Sequence, residues 1–281
     1  KYFGVSTLMA TLPGLPMFGH GQFEGYAEKY GMEFAKAYWD ESPDEGLLDY
    51  HRKVITPILR ARHLFSGVEH FALFDFYAES GVDENVFAYS NRGKHGHERS
   101  LVVYNNGGEA TSGWLRTSCA INIGSEDEPH LIQRKLVEAL GLETDERVWY
   151  AIYELRSQCW YLRNAAQLAS EGLFIGLKGY GAQVFMTFGE RYDDDGRWAE
   201  YAHFLDGSGV ADLDDAFRRF VEARDEVAFI QSRAPRPYPS RSAGILLHPS
   251  SLPGPEGIGT LGGVMEPFLD WMVESGLRLW Q

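Results

Sequence analysis

The chain has 281 residues, 44% of them hydrophobic and 23% charged, which is the balance of a globular protein of one or two domains able to bury a sizeable core. Its formal net charge is -14 with only 26 Lys and Arg, which argues against a nucleic-acid partner because binding a phosphate backbone needs clustered cations. No apolar run approaches the roughly 20 residues needed to cross a bilayer and no polybasic helix is present, so no membrane partner is expected either.

In chain order, YFGVSTLMATLPGLPMFGHG reads as an apolar helix or strand running into a Gly/Pro-rich loop, since Pro13, Gly14 and Pro16 cannot share a regular element. Ser42, Pro43 and Glu45 form a capping-box pattern that predicts a helix start, with Ser42 as N-cap. Leu47, Leu48, Ile55, Ile58 and Leu59 supply its apolar stripe, Pro57 predicts an irregular turn in it, and it should end near Gly67. From about Phe71 to Ile123 the runs FALFDFY, NVFAYSN and RSLVVYNN, bounded by Gly, Asn and Ser, predict antiparallel strands. A second capping box at Ser125 and Glu128 predicts an inserted helix from Ser125 to Leu140, with Gly141 as C-cap. Strands resume at VWYAIYEL, LFIGLKG and AQVFMTFGER, followed by short helices at WAEYAHFLDG and DLDDAFRRFVEA. QSRAPRPYPS has three prolines and no apolar period, the composition of a linker between folding units. The last segment predicts strand GILLHP, a long loop, helix VMEPFLDWMVES capped by Gly276, and strand LRLWQ: the opening of a β/α unit.

Few motifs carry chemistry on their own. GIGTLG at 257–262 matches GxGxxG, but a proline-containing loop separates it from the preceding strand and no acidic residue follows about twenty positions on, so nucleotide binding is not expected. Asp193, Asp194 and Asp195 lack the alternating spacing of a calcium loop and read as a solvated turn. His20, His95, His97 and His248 show no metal-ligand spacing. Cys119 and Cys159 make no CxxC pair, which suggests neither disulfide framework nor zinc site and fits a reducing cytoplasm. Glycoside chemistry needs two carboxylates roughly 5 to 10 Å apart. Asp75, Glu154 and Glu190 fall in the β region, where acids on an exposed sheet face are ordinary, so no catalytic residue is assigned. The 7 Trp and 15 Tyr are the rings that stack on sugars, although such rings are mostly buried for packing alone.

TLMATLPGLPMFGHGQFEGYAEKYGMEF resembles the region after the eighth barrel strand of the α-amylase superfamily, where an apolar strand leads into a GxPxxxxG loop on the active-site face. The following helix and strands are similar to that superfamily's closing helix and C-terminal β-sandwich. RSAGILLHPSSLPGPEGIGTLGGVMEPFLDWMVESGLRLWQ strongly resembles the N-terminus of the amylomaltases, the 4-α-glucanotransferases. These resemblances imply an α/β plus β fold class: residues 1–66 the end of a (β/α)8 barrel, 67–231 an antiparallel β-sandwich with helical insertions, 232–241 a linker, and 242–281 the first β/α unit of a second (β/α)8 barrel. They imply an α-1,4-glucan or maltooligosaccharide substrate, retaining glucan hydrolysis and transfer by a fused parent enzyme, and no organic cofactor, with calcium a family habit of the amylase-like part. Phe18, His20 and Tyr26 are the implied substrate-binding residues, although Gly19 and His20 stand where tyrosines are customary and Gln22 and Phe23 where an acidic pair is common. Lys1 is not a methionine and the chain stops in an apolar run, so both ends are expected to be internal, the catalytic carboxylates outside residues 1–281, and the isolated chain inactive. Alternatives are a non-catalytic glucan-binding or structural β module, or an isomerase or maltosyltransferase of the same superfamily.

Overall fold

In the N-terminal segment the choice between helix and strand falls to helix: the computed structural model, which describes residues 1–28, 35–93, 97–232, 244–245, 265–275, 277 and 279–280, has α1 at Tyr2–Thr11. The resemblance implied a strand here. A short apolar run does not settle its own period, and the helix found here keeps its threonine hydroxyls paired and its Gly4 face closely packed. The hydroxyls of Thr7 and Thr11 donate to the carbonyls of Phe3 and Thr7, one turn back. Gly4 lies flat on the Tyr104 ring, where an added Cβ would come within 1.9 Å of a ring carbon. Leu12 is extended, as the residue before Pro13 must be, and ends the helix.

α2 (Glu45–Tyr50), a π-helical turn (His51–Ile55), α3 (Thr56–Arg60) and α4 (Arg62–Phe65) follow as one irregular helical run. The cap of α2 is the Asp44 carboxylate, which accepts from the Leu47 N–H at 3.0 Å, and not Ser42 as the capping pattern suggested. The break expected at Pro57 is present as the π turn just ahead of it.

The strands are β1 (Ala72–Ala78), β2 (Gly81–Val82), β3 (Val86–Arg92), β4 (Arg99–Asn105) and β5 (Thr111–Ser118). A small ribbon, β6 (Ile121–Asn122) with β7 (Leu131–Ile132), precedes α5 (Leu136–Leu140). The inserted helix is therefore shorter than predicted. Ser125 Oγ does accept from the Glu128 N–H, but the bond closes the ribbon's turn, and the helix starts only at Leu136, where the Glu138 carboxylate accepts from the Lys135 N–H at 2.9 Å. Gly141, at φ +62°, is the C-cap as expected. After it come β8 (Val148–Glu154), β9 (Cys159–Asn164), α6 (Ala165–Ser170), β10 (Leu173–Leu177), β11 (Ala182–Tyr192), α7 (Arg197–Leu205) and α8 (Leu213–Ser232).

Among the described residues, nine of these strands form one antiparallel sheet in the order β10-β5-β1-β3-β4-β11-β8-β9, with β2 beside β1. The antiparallel β domain read from the sequence is present, and its strands make a single sheet curled into a half-barrel. Alternation along the strands buries both faces. Val86, Ala88, Leu101 and Val103 point inward onto α5 and α6, while Tyr89, Val102 and Val184 meet α1, α3 and α4 on the outside. Ala151 and Leu162 carry α7 and α8, where the Trp198 and Phe217 rings stack 3.7 Å apart.

The chain divides into two compact units, Lys1–Val221 and Glu222–Gln281. In the second, β12 (Gly244–Ile245) pairs in parallel with β13 (Leu279–Trp280), and α9 (Met265–Glu274) lies between them in sequence. Parallel neighbours require such a crossover, and this is the β/α opening that the sequence predicted. The expected linker beyond Ser232, the GIGTLG segment and the Gly276 cap lie outside the described residues.

Candidate functional site

The loop after α1 is shaped by glycines and acids. Gly21 has φ +67°, and a Cβ there would come within 2.6 Å of the Tyr26 side chain, so the turn needs glycine. The Gly25 and Tyr26 N–H groups both donate to the Gly21 carbonyl. The Glu41 carboxylate accepts from the Ala27 and Glu28 N–H groups at 2.8 and 3.0 Å, and Glu28 in turn accepts from Tyr38 and Trp39.

The loop encloses a cleft of about 470 Å³ lined by Tyr2, His20, Gln22, Tyr26, Glu28 and Leu47, among others. The His20 and Tyr26 rings meet there at 6.1 Å. Phe18 points elsewhere: it packs at 4.6 Å on Phe23 and edge-on to His51, joining the core under α1. Of the three residues expected in the loop, two are thus brought to one cleft and the third anchors the loop behind it. His51 is buried, with Nδ1 3.0 Å from the Leu47 carbonyl and Nε2 3.2 Å from the Tyr2 hydroxyl. Burial pushes its pKa below the ordinary value, partly opposed by the hydrogen bond to Leu47.

The three acids of the β region are not equivalent solvated groups. Glu154 is only 2% exposed, and its carboxylate accepts from the N–H groups of Arg156 (3.0 Å), Ser157 (2.6 Å) and Val184 (3.0 Å). The expectation of an exposed face fails there because Glu154 ends β8, where its carboxylate turns onto the N–H groups of the β8–β9 turn and onto Val184 beside the β8–β11 register shift. Asp75 accepts from the Cys119 thiol, whose pKa is raised by burial and by that bond. Glu190 lies 3.4 Å from the Tyr150 hydroxyl and 3.7 Å from Arg99.

The Asp193 carboxylate caps α7 through the Trp198 and Ala199 N–H groups, and Asp195 pairs with Arg197. Among the described residues no group of three His, Cys, Asp or Glu that could hold a metal ion is present.

A second cleft, of about 510 Å³, has no counterpart in the sequence reading. It lies where the two ends of the sheet approach, between Trp114 and Phe174 on one side and Trp149, Arg163 and His203 on the other. These residues come from β5, β10, β8, β9 and α7, so only the curl of the sheet brings them together. No helix among the described residues is long and apolar enough to cross a membrane.

What fold and clefts define is an antiparallel domain with aromatic-walled clefts, and a separate unit opening a parallel β/α structure. No family model matches the chain. Over a short stretch it is similar to 4-alpha-glucanotransferases. It is 58% identical over 45 residues to the chloroplastic/amyloplastic enzyme of Solanum tuberosum, which is 16% of this chain and 8% of that protein. It is 54% identical over 41 residues to that of Thermus thermophilus, which is 15% and 8% respectively. The match to the Aquifex aeolicus (strain VF5) enzyme is 58% over 41 residues, again 15% and 8%. The resemblance to 4-α-glucanotransferases is thus shown over this stretch, which spans 8% of the length of each of these relatives. Among solved structures the chain is similar to a debranching enzyme of Nostoc punctiforme, at 16% identity and a TM-score of 0.35, covering 66% of this chain and 31% of that one.

Proposed function

We propose that this chain is a segment of an α-glucan-processing enzyme, in which an amylase-like hydrolase part ending in the curled-sheet domain is joined to the start of a 4-α-glucanotransferase part. The observation that carries the reading is the 54 to 58% identity to plant and bacterial 4-alpha-glucanotransferases over 41 to 45 residues. The segment from Arg241 to Gln281 is of that length, and the parallel β12–β13 pair with α9 between them suits the first unit of a (β/α)8 barrel. Retaining chemistry would proceed through a glycosyl-enzyme released to water by one part and to a glucan acceptor by the other. Glu154 is spent on backbone donors and is not free for that chemistry, and in this reading the catalytic carboxylates lie outside residues 1–281. Purified residues 1–281 should neither disproportionate maltotriose nor release reducing ends from amylose. Turnover of either by a clean preparation sinks this assignment.

In the same reading His20 and Tyr26 contact the glucan, and Phe18 holds the loop that carries them. Retention on immobilised amylose should fall in Tyr26→Ala and His20→Ala without a change in thermal midpoint. Unaltered retention in both variants removes the loop from the binding surface.

A further inference from the structure

Arg163 is taken partly out of water without being given a carboxylate. Its guanidinium donates to the carbonyls of Leu162 at 2.8 Å and Gly207 at 3.3 Å, and stands 5.7 Å from the centre of the Tyr161 ring. Among the described residues no Asp or Glu oxygen lies within 4.0 Å of it. Arg147, Arg191 and Arg197 pair with Asp145, Asp214 and Asp195, and Arg218 and Arg219 share Asp215, whereas Arg116 and Arg156, like Arg163, donate to backbone carbonyls. Desolvation without a counter-charge lowers the Arg163 pKa, and a guanidinium so placed is short of a partner that could use its planar fork.

The space in front of it is built for more than an ion. Arg163 lines both the cleft of about 510 Å³ and an adjoining one of about 210 Å³, which share Leu173, Phe174 and Gly207. Trp114 and Phe174 meet edge to face at 5.3 Å on one wall, with Phe174 51% exposed, and Trp149 stands on the other. Gln167 and His203 add polar groups, and Asp206 lies on the same lining but beyond ion-pair reach of Arg163. The rest of the molecule repels anions, at a net charge of -14, so an anion held here is held by local geometry and not by the overall field.

We propose that this cleft binds a small organic oxyanion, a phosphate- or carboxylate-bearing molecule whose anionic group sits on Arg163 and whose uncharged body packs against Trp114, Trp149 and Phe174. Flat apolar walls with one convergent charged group are the general make-up of a small-molecule site. The proposal stands apart from the glucan reading, which needs no anion.

The test is calorimetric titration of the 281-residue chain with glucose 1-phosphate, glucuronate, inorganic phosphate and neutral glucose at low ionic strength, with tryptophan fluorescence as second readout. Saturable binding of at least one of the two sugar anions is expected, 10-fold or more tighter than glucose, and which of them binds distinguishes phosphate from carboxylate. Arg163→Gln should weaken it at least 10-fold while the thermal midpoint is kept. Phe174→Ala, a change at an exposed ring that threatens folding little, should weaken the sugar anion more than inorganic phosphate, which keeps the test decisive if the arginine variant does not fold. Equal affinity for glucose and both sugar anions, an unchanged affinity in a folded Arg163→Gln protein, or no saturable binding of either sugar anion each overturns the proposal.

Discussion

At the scale of single residues, two buried polar groups do work that their neighbours cannot take over. Three backbone N–H groups around the β8–β11 irregularity point at the Glu154 carboxylate. Glu154→Ala orphans the buried Val184 donor, at about 1–3 kcal/mol, while Arg156 and Ser157 stand in an exposed turn where water replaces the carboxylate. We expect a loss of about 1–3 kcal/mol in urea denaturation, with Glu154→Gln in between because its single carbonyl oxygen satisfies part of the set. A loss below about 1 kcal/mol for the alanine variant shows that water reaches the Val184 donor too. His51 sets a pH dependence. Its native pKa is lowered chiefly by burial, so the unfolded chain takes up a proton that the native one resists. Stability from this residue is therefore complete above the ordinary histidine value of about 6.5 and declines as pH falls through it toward the lower native value. His51→Gln should flatten that part of the stability profile between pH 7 and 5, and an unchanged slope assigns it to other groups.

At the scale of elements, the helix that follows the candidate loop shows how local signals compete. Ser42, Pro43 and Glu45 satisfy the capping pattern, yet Asp44 is the cap because its N–H donates to the Glu24 carbonyl at 2.8 Å, fixing the chain two residues later. Asp44→Ala should cost about 0.5–2 kcal/mol and Ser42→Ala next to nothing, a contrast that paired thermal melts read directly. The same competition explains what was legible in the sequence. β1, β3, β4, β8, β10 and β11 are visible in it because alternation and flanking Gly and Asn are local properties. The nature of α1 was not, since an apolar run packed on Tyr104 reads alike as helix or strand. The N-terminal loop was legible through its glycines and prolines, and His20 and Tyr26, named through the family resemblance, line one cleft of it. The orientation of Phe18 was not, because it depends on Phe23 and His51 beneath it. The cleft around Arg163 left no trace in the sequence, since its walls come from strands that meet only when the sheet curls.

At the scale of the whole molecule, the three hydrophobic cores take their members, among the described residues, from those up to Phe220. The inner face of the sheet, its cover of α1, α3 and α4, and the aromatic stack beneath α7 and α8 are described within the first unit. The second unit adds the parallel pair and α9, in which Met272 is buried while Trp271 and Val273 are exposed. If the first unit owns its cores, a chain ending at Ser232, which keeps α8 whole, should unfold cooperatively in urea with a midpoint close to that of the full chain. Its slope should be smaller only in proportion to the lost surface, because that slope follows the area exposed on unfolding. A midpoint that collapses on truncation shows instead that the first unit draws stability from the residues beyond Ser232. The sheet domain would then be no free-standing module, and the glucan and oxyanion sites assigned to it would have to be measured only in the longer chain.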